Sequence, residues 1–229
     1  MGLIDIGGVM LSRAEQRVEV AAQNLTNATM PGYRARSIFP SLLDTANPTS
    51  DAPGMTSVDF TNGPLRSTGN PLDLAISGSG FFVVRSNAAT YYTRNGQFQR
   101  DTDGRIVTAE GYALQCQSGD AVVKNGDPKV MPDGTVLDGD EPVGRLLIVN
   151  FANPQTLHPA GAGVFSADDR QAAPASSEIR EGMLEGSNVS TAGEMISIMA
   201  GLRSAQSGQQ LIQFYDDLMG RALAAFGQQ

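Results

Sequence analysis

Residues 24–36, NLTNATMPGYRAR, separate two kinds of sequence, and how that break is read decides the fold. Ahead of it, residues 4–28 carry a seven-residue repeat. Ile4, Leu11, Val18 and Leu25 form one row, and Gly7, Ala14, Ala21 and Ala28 form a second row three residues on. Arg13, Glu15, Arg17, Glu19 and Gln23 fall outside both rows. This pattern predicts a helix of roughly 37 Å with a narrow coiled-coil-like seam, large on one row and small on the other. Small residues let a neighbouring helix come close. Within the break, Pro31 disfavours helix at Met30, and Gly32 permits a sharp turn.

The chain's last forty residues mirror its start. Ile198, Ala205, Ile212, Met219 and Phe226 recur every seven residues, accompanied by Met195, Leu202 and Leu223, while Gln209 and Asp216 interrupt the second row. Thr191 with Glu194 three residues on has the form of a capping box and puts the helix start near 191.

Between the helices the texture is different. FFVV (81–84), YYTR (91–94), RIVT (105–108), YALQ (112–115), AVVK (121–124) and RLLIVNF (145–151) read as strands, and GVFSA as a further one. The turn-rich stretches DTDG (101–104), NGDP (125–128) and PDGT (132–135) suit antiparallel hairpins. Residues 40–64 are rich in Pro, Ser, Thr and Asp and read as an extended linker. The expected class is therefore α+β, with discontinuous terminal helices and a central, mostly antiparallel β domain. The expected division is a helical inner domain of residues 1–33 plus 189–229, with paired termini, and a β-rich outer domain of residues 34–188.

Composition narrows the functions. Of 229 residues, 41% are apolar and only 6% aromatic, without Trp, so the interior must rely on aliphatic side chains. The formal charge of −8 and the lack of Lys/Arg clusters argue against a nucleic-acid partner. No run approaches the ~20 apolar residues of a spanning helix, so membrane insertion is not expected. The start, MGLIDIGGVMLSR, lacks a basic n-region and a useful apolar core, so no cleavable signal peptide is expected. Ile6 stands where a myristoylation motif wants Ser or Thr.

Candidate chemistry is thin. Gly78-Ser79-Gly80 opens like a phosphate loop, but a strand follows instead of a helix, and a tight turn explains it. Asp101-Thr102-Asp103-Gly104 begins like a calcium loop whose remaining ligands are missing, so a hairpin turn is expected. Cys116, in a strand-like run, and His158, before a proline in an extended loop, are the only residues of their kinds and leave no triad or zinc set. The adjacent acids Asp168-Asp169 and Asp216-Asp217 read as solvated. Catalytic residues, cofactor and metal are accordingly none, and the chain is not expected to be an enzyme.

Several stretches in order resemble the flagellar basal-body rod and hook family. In NLTNATMPGYRAR the match is Asn24, Leu25, Asn27, Pro31, Gly32, Tyr33 and Arg34, with Thr26 where Ala is usual. GNPLDLAISGSGFFVV (69–84), YYTRNGQFQRDTDGRIVTAEGYALQ (91–115) and LEGSNV (184–189) are similar to the members sharing this β domain. The resemblance weakens between about 120 and 180. It implies a structural subunit of a helical tube that crosses the periplasm, exported unfolded through the flagellar type III apparatus and polymerising through its terminal helices. The partners it implies are copies of the chain and other axial rod proteins. Length points to a rod member with one β domain, since the hook protein is much longer.

Two sets of site residues follow. Helix-seam assembly would rest on Ile4, Leu11, Val18, Leu25, Met195, Ile198, Leu202, Ala205, Ile212, Met219 and Phe226. The junction where the β domain leaves the helices would be Asn24, Leu25, Asn27, Pro31, Gly32 and Tyr33 with Gly186, Ser187, Asn188 and Val189. A different class of function, a secreted β-domain binding module dimerised by its helices, would instead show a concave polar and aromatic patch.

Overall fold

The computed structural model describes residues 3–39, 55–86, 89–124, 126–161, 163–167, 172–175 and 177–226. Residue contacts divide the chain into two units. The helical unit comprises Met1–Ala28, Ala35–Asp59 and Val189–Gln229, and the β unit comprises Thr29–Arg34 and Phe60–Asn188. The α+β class with terminal helices and a central antiparallel β domain is what forms.

In the helical unit, α1 (Leu3–Thr26) packs along α2 (Thr191–Phe226), with the hairpin of β1 (Arg36–Phe39) and β2 (Met55–Val58) beside α1. The start of α2 differs in detail from the expected capping box. Ser190 is the cap: its Oγ accepts from the Gly193 N–H at 3.3 Å, and its carbonyl accepts from the Glu194 N–H at 2.9 Å. Glu194 does not close a box, because its carboxylate accepts from Asn24 of α1.

The expected boundary at 33/34 also moves. Residues 35–39 and 55–59 group with the helices rather than with the β domain, since Asn24 bonds to the backbone of Arg36. Within the expected linker 40–64, Met55–Val58 is a strand, while residues 40–54 lie outside those described. Asp168-Asp169 also fall outside them.

The β unit is built from short strands: β3 (Leu65–Ser67), β4 (Leu74–Ser77), β5 (Phe81–Ser86), β6 (Ala89–Thr93), β7 (Gln99–Arg100), β8 (Ile106–Val107), β9 (Ala113–Cys116) and β10 (Gly119–Asp120). They continue as β11 (Pro128–Val130), β12 (Thr135–Asp138), β13 (Glu141–Arg145), β14 (Ile148–Phe151), β15 (His158–Gly161), β16 (Val164–Ser166), β17 (Ala172–Pro174), β18 (Glu178–Glu181) and β19 (Met183–Glu185). The main sheet runs β15-β16-β6-β5-β9-β8-β7, with β14 joining β5 to β17 and β10 joining β9. Smaller sheets are β11-β12-β13, β18-β4 and β19-β3, and every pairing is antiparallel. AVVK, expected as a strand, contributes only a bridge from Val122 to Arg105. RLLIVNF splits at Leu146 and Leu147 into the end of β13 and β14.

Leu74, Phe82, Val84, Ile106, Leu114, Val123 and Val136 are fully enclosed in one core. Aliphatic side chains dominate it, as the composition requires. A second cluster packs Phe60, Phe81, Phe151, Phe165 and Tyr92, edge to face except for the tilted Phe60–Phe165 pair, with ring centroids 4.9–6.1 Å apart.

Candidate assembly site

The helices meet through their smallest residues. Gly7, Ala14 and Ala21 are buried, and Gly201 and Gly208 of α2 are buried opposite them. A Cβ on Gly7 would lie 2.7 Å from Cγ1 of Ile212, and one on Gly201 would lie 2.6 Å from Cγ2 of Val18. On Gly208 it would lie 3.2 Å from the Gly7 carbonyl oxygen. The antiparallel pairing thus brings the two backbones close along one stripe.

The expected seam residues distribute unevenly about this stripe. Leu11, Val18 and Leu25 of α1, with Ile198, Ala205 and Ile212 of α2, are half-buried at its margins. Met195, Leu202 and Met219 are exposed. The side chains of Ile4 and Phe226 are not among those described. Sequence reasoning missed Gly201 and Gly208, although they too stand seven residues apart.

Asn24 is fully enclosed at the end of α1. Its Oδ1 accepts from the Arg36 N–H at 2.9 Å, and its Nδ2 donates to the Arg36 carbonyl at 2.7 Å and to Oε1 of Glu194 at 2.9 Å. A carboxamide alone offers donor and acceptor in this shape, so it pairs with β1 much as a strand would and also ties down the first turn of α2. Asn27 closes α1 locally, donating from Nδ2 to the Gln23 carbonyl at 2.8 Å. Leu25 between them is half-buried.

In the β unit, Pro31 and Gly32 occupy the middle of a turn closed by the Tyr33 N–H on the Met30 carbonyl at 3.3 Å. Gly32 has φ 69°, and a Cβ there would lie 2.3 Å from the Arg94 carbonyl carbon, so only glycine fits. Its N–H donates to the Glu185 carbonyl at 2.8 Å, and the Asn188 N–H donates to the Tyr33 carbonyl at 3.4 Å. Residues 32 and 33 therefore meet residues 185 and 188 within the β unit. Gly186 bonds to the Pro64 carbonyl, Asn188 also bonds to Thr61, and Ser187 and Val189 are half-buried.

The centre of this meeting point is an ion cluster that the sequence reading did not assign. Glu185 is buried between Arg34, at 2.8 Å, and Arg94, at 3.1 Å. Its Oε1 also accepts from the Gly63 N–H at 2.8 Å. Arg34 donates to the Thr61 carbonyl at 2.7 Å and Arg94 to the Gly78 carbonyl at 2.8 Å. The Arg94 guanidinium lies 5.4 Å from the Phe81 ring centroid. Burial pushes the Arg94 pKa down to about 10 while Glu185 opposes that, so the group stays charged at neutral pH. Two cations on one anion leave the cluster with a net positive charge.

The other stretches weighed from sequence resolve as structure. Gly78 and Gly80 both take positive φ in the turn before β5. Asp101 closes its own turn, its Oδ1 accepting from the N–H groups of Asp103 and Arg105. His158 is exposed on β15, and Cys116 is buried. Among the described residues, no group of three metal-binding side chains comes together, and no helix is long and apolar enough to cross a membrane.

Two family models match the chain. One, described as the flagellar hook protein FlgE/F/G D1 domain, covers residues 75–137, and one for the flagellar basal body rod FlgEFG protein C-terminal region covers residues 180–225. The flagellar basal-body rod protein FlgF of Salmonella typhimurium is 32% identical over 226 residues, with 89% of each chain covered. The Escherichia coli FlgF is 31% identical over 227 residues with the same coverage. The chain belongs to the flagellar basal-body rod protein family. The rod protein FlgG of Agrobacterium fabrum is also similar, 26% identical over 254 aligned positions, covering 95% of this chain and 97% of its own. As a rod-family member, the chain is a structural subunit of the basal-body rod and assembles with other rod proteins. Arg94 and Glu185 lie in the two matched regions.

Proposed function

We propose that the chain is a proximal rod subunit, of the FlgF kind, that polymerises through its terminal helices. The relatives named FlgF, at 28–32% identity, support this choice over those named FlgG, at 26–27%. In this reading the subunit works in the periplasm and arrives through the flagellar type III export apparatus. It is not an enzyme and needs no nucleic acid or membrane insertion. The seam residues carry assembly, and the junction residues around Asn24, Gly32 and Asn188 fix how the chain passes between the inner and outer domains.

The observation that carries the proposal is the surface of α2. Of eleven large apolar side chains exposed among the described residues, eight lie on this one helix. Such a concentration marks a surface that a partner covers. The test is Leu11→Asp, at the margin of the helix pair, in a strain lacking the wild-type chain. Burying a residue like Leu11 is worth ~1.5–3 kcal/mol, repeated at every subunit of a helical array. Swimming and rods in isolated basal bodies should vanish, while amide protection of the β unit in the purified variant stays unchanged. Normal rods built from this variant would sink the proposal.

A further inference from the structure

The two helices differ in length, and the difference leaves the end of α2 extending past α1. Helix α2 has 36 residues against 24 in α1. With Gly7 packed against Gly208 and Ile212, α1 runs out at Leu3 where α2 has reached about residue 215. The turns of α2 beyond that point have no partner among the described residues of α1. They expose Asp216, Asp217, Leu218, Met219 and Leu223, with Phe214 just before them. Phe214, Asp217, Leu218 and Arg221 stand three and four residues apart and share a face, so Asp217 lies between two apolar side chains with an arginine one turn beyond it. Asp216 and Asp217 have no hydrogen-bond or ion-pair partner among the described residues.

Further along α1 lies a cleft of about 440 Å³. Arg13, Arg17 and Val20 line it from α1, Arg36 and Ile38 from β1, and Glu194 from α2. Three arginines face one carboxylate, and that carboxylate already accepts from Asn24. Arg17 has no partner among the described residues, and the Arg36 guanidinium bonds to the neutral Gln23 carboxamide at 3.2 Å. On a chain of formal charge −8 this is a local basic cleft with apolar patches, suited to an acidic and apolar helix face.

We propose that the overhanging end of α2 from one subunit docks in the arginine cleft of a second copy. Asp217 meets Arg17 and its neighbours there, and Phe214 and Leu218 cover Val20 and Ile38. The contact forms between chains, because Leu3 and Arg17 are separated by roughly 21 Å along α1. Cleft and overhang are different surfaces, so the contact is heterologous. Repetition then extends a filament instead of closing a dimer. This inference rests on the rod-subunit reading and adds the place and polarity of one contact.

Charge exchange tests it in cells that lack the wild-type chain. Arg17→Asp and Asp217→Arg should each cut the number of rods in isolated basal bodies by roughly tenfold or more. The double variant should recover most of the loss, because the pair is restored with its signs exchanged. Amide protection of the purified full-length variants controls for folding. A second arm co-expresses Arg17→Cys and Asp217→Cys on separate copies and oxidises basal bodies with copper phenanthroline. A disulfide-linked dimer of this chain should appear only when both copies are present. Single variants that assemble normally, a double variant no better than the worse single, or basal bodies with both cysteines and no such dimer would each overturn the docking. A wild-type chain that builds no rods would instead refute the rod-subunit reading beneath it.

Discussion

The two units of this chain reach stability by opposite routes. The β unit closes on itself: Phe82, Leu114 and Val136 are sealed in a side-chain core, and even its charges, Arg34, Arg94 and Glu185, are paired inside. The helical unit closes along only one stripe, where Gly7, Gly201 and Gly208 bring backbones together, and it leaves Ile196, Met199, Phe214 and Leu223 exposed. One is finished as a single chain, while the other has the surface of a component.

The contrast breaks most sharply at Glu185. Removing a buried partner strands the opposite charge at a cost of about 3–5 kcal/mol, and Glu185→Gln strands two arginines. The β unit of this variant should lose stability by that order, seen as faster amide exchange across β4, β5 and β19. Arg34→Met should cost less, because it leaves Arg94 and Glu185 as a one-to-one pair. Equal losses in the two variants, or loss of protection confined to α1 and α2, would remove the ion cluster from its place as the clasp of the β unit.

Asn24 is the counterpart in the helical unit, with a smaller expected effect. Asn24→Ala leaves the Arg36 N–H and carbonyl and the Glu194 carboxylate without their side-chain partner, at about 1–3 kcal/mol. Exchange should quicken in β1, β2 and the first turn of α2, while the β unit keeps its protection. Asn24→Asp should be worse, since it removes both donated bonds and sets a second carboxylate beside Glu194. A β unit that loosened together with these elements would show that the two units share one stability.

These residues also mark how far the sequence could be read. The helix of residues 4–28, the Pro31-Gly32 turn and the Asp101 turn rest on local spacing, so they were legible. The contact face of α2 was legible only in part, because Ile198, Ala205 and Ile212 flank the packed stripe while Met195, Leu202 and Leu223 repeat on a face that the pairing leaves open. The glycines that pack carry no hydrophobic signal. The ion cluster joins Arg94 to Glu185 across 91 residues, and nothing near either one distinguishes a buried charge from a solvated one. Similarly, Thr191 and Glu194 fit a capping box by spacing alone, but Asn24 competes for the carboxylate and Ser190 takes the cap.

The finest test of the two-unit contrast uses the chain's single cysteine. Cys116 is 4% exposed in the β core, and burial raises its thiol from 9.0 to about 11. The folded unit therefore keeps the proton at pH values where the unfolded chain has lost it. Stability from this group is fully present below pH 9 and declines as pH rises toward 11. Between pH 8 and 10 the wild-type β unit should lose about 1 kcal/mol more than Cys116→Ala, a comparison that cancels other titrations common to both chains. Arg94, whose lowered pKa acts in the opposite direction at higher pH, is among them. The difference should show in β9 amides and be absent from α1 and α2. Parallel pH profiles in the two chains would mean that the thiol senses water, and that the β core opens more readily than its packing indicates.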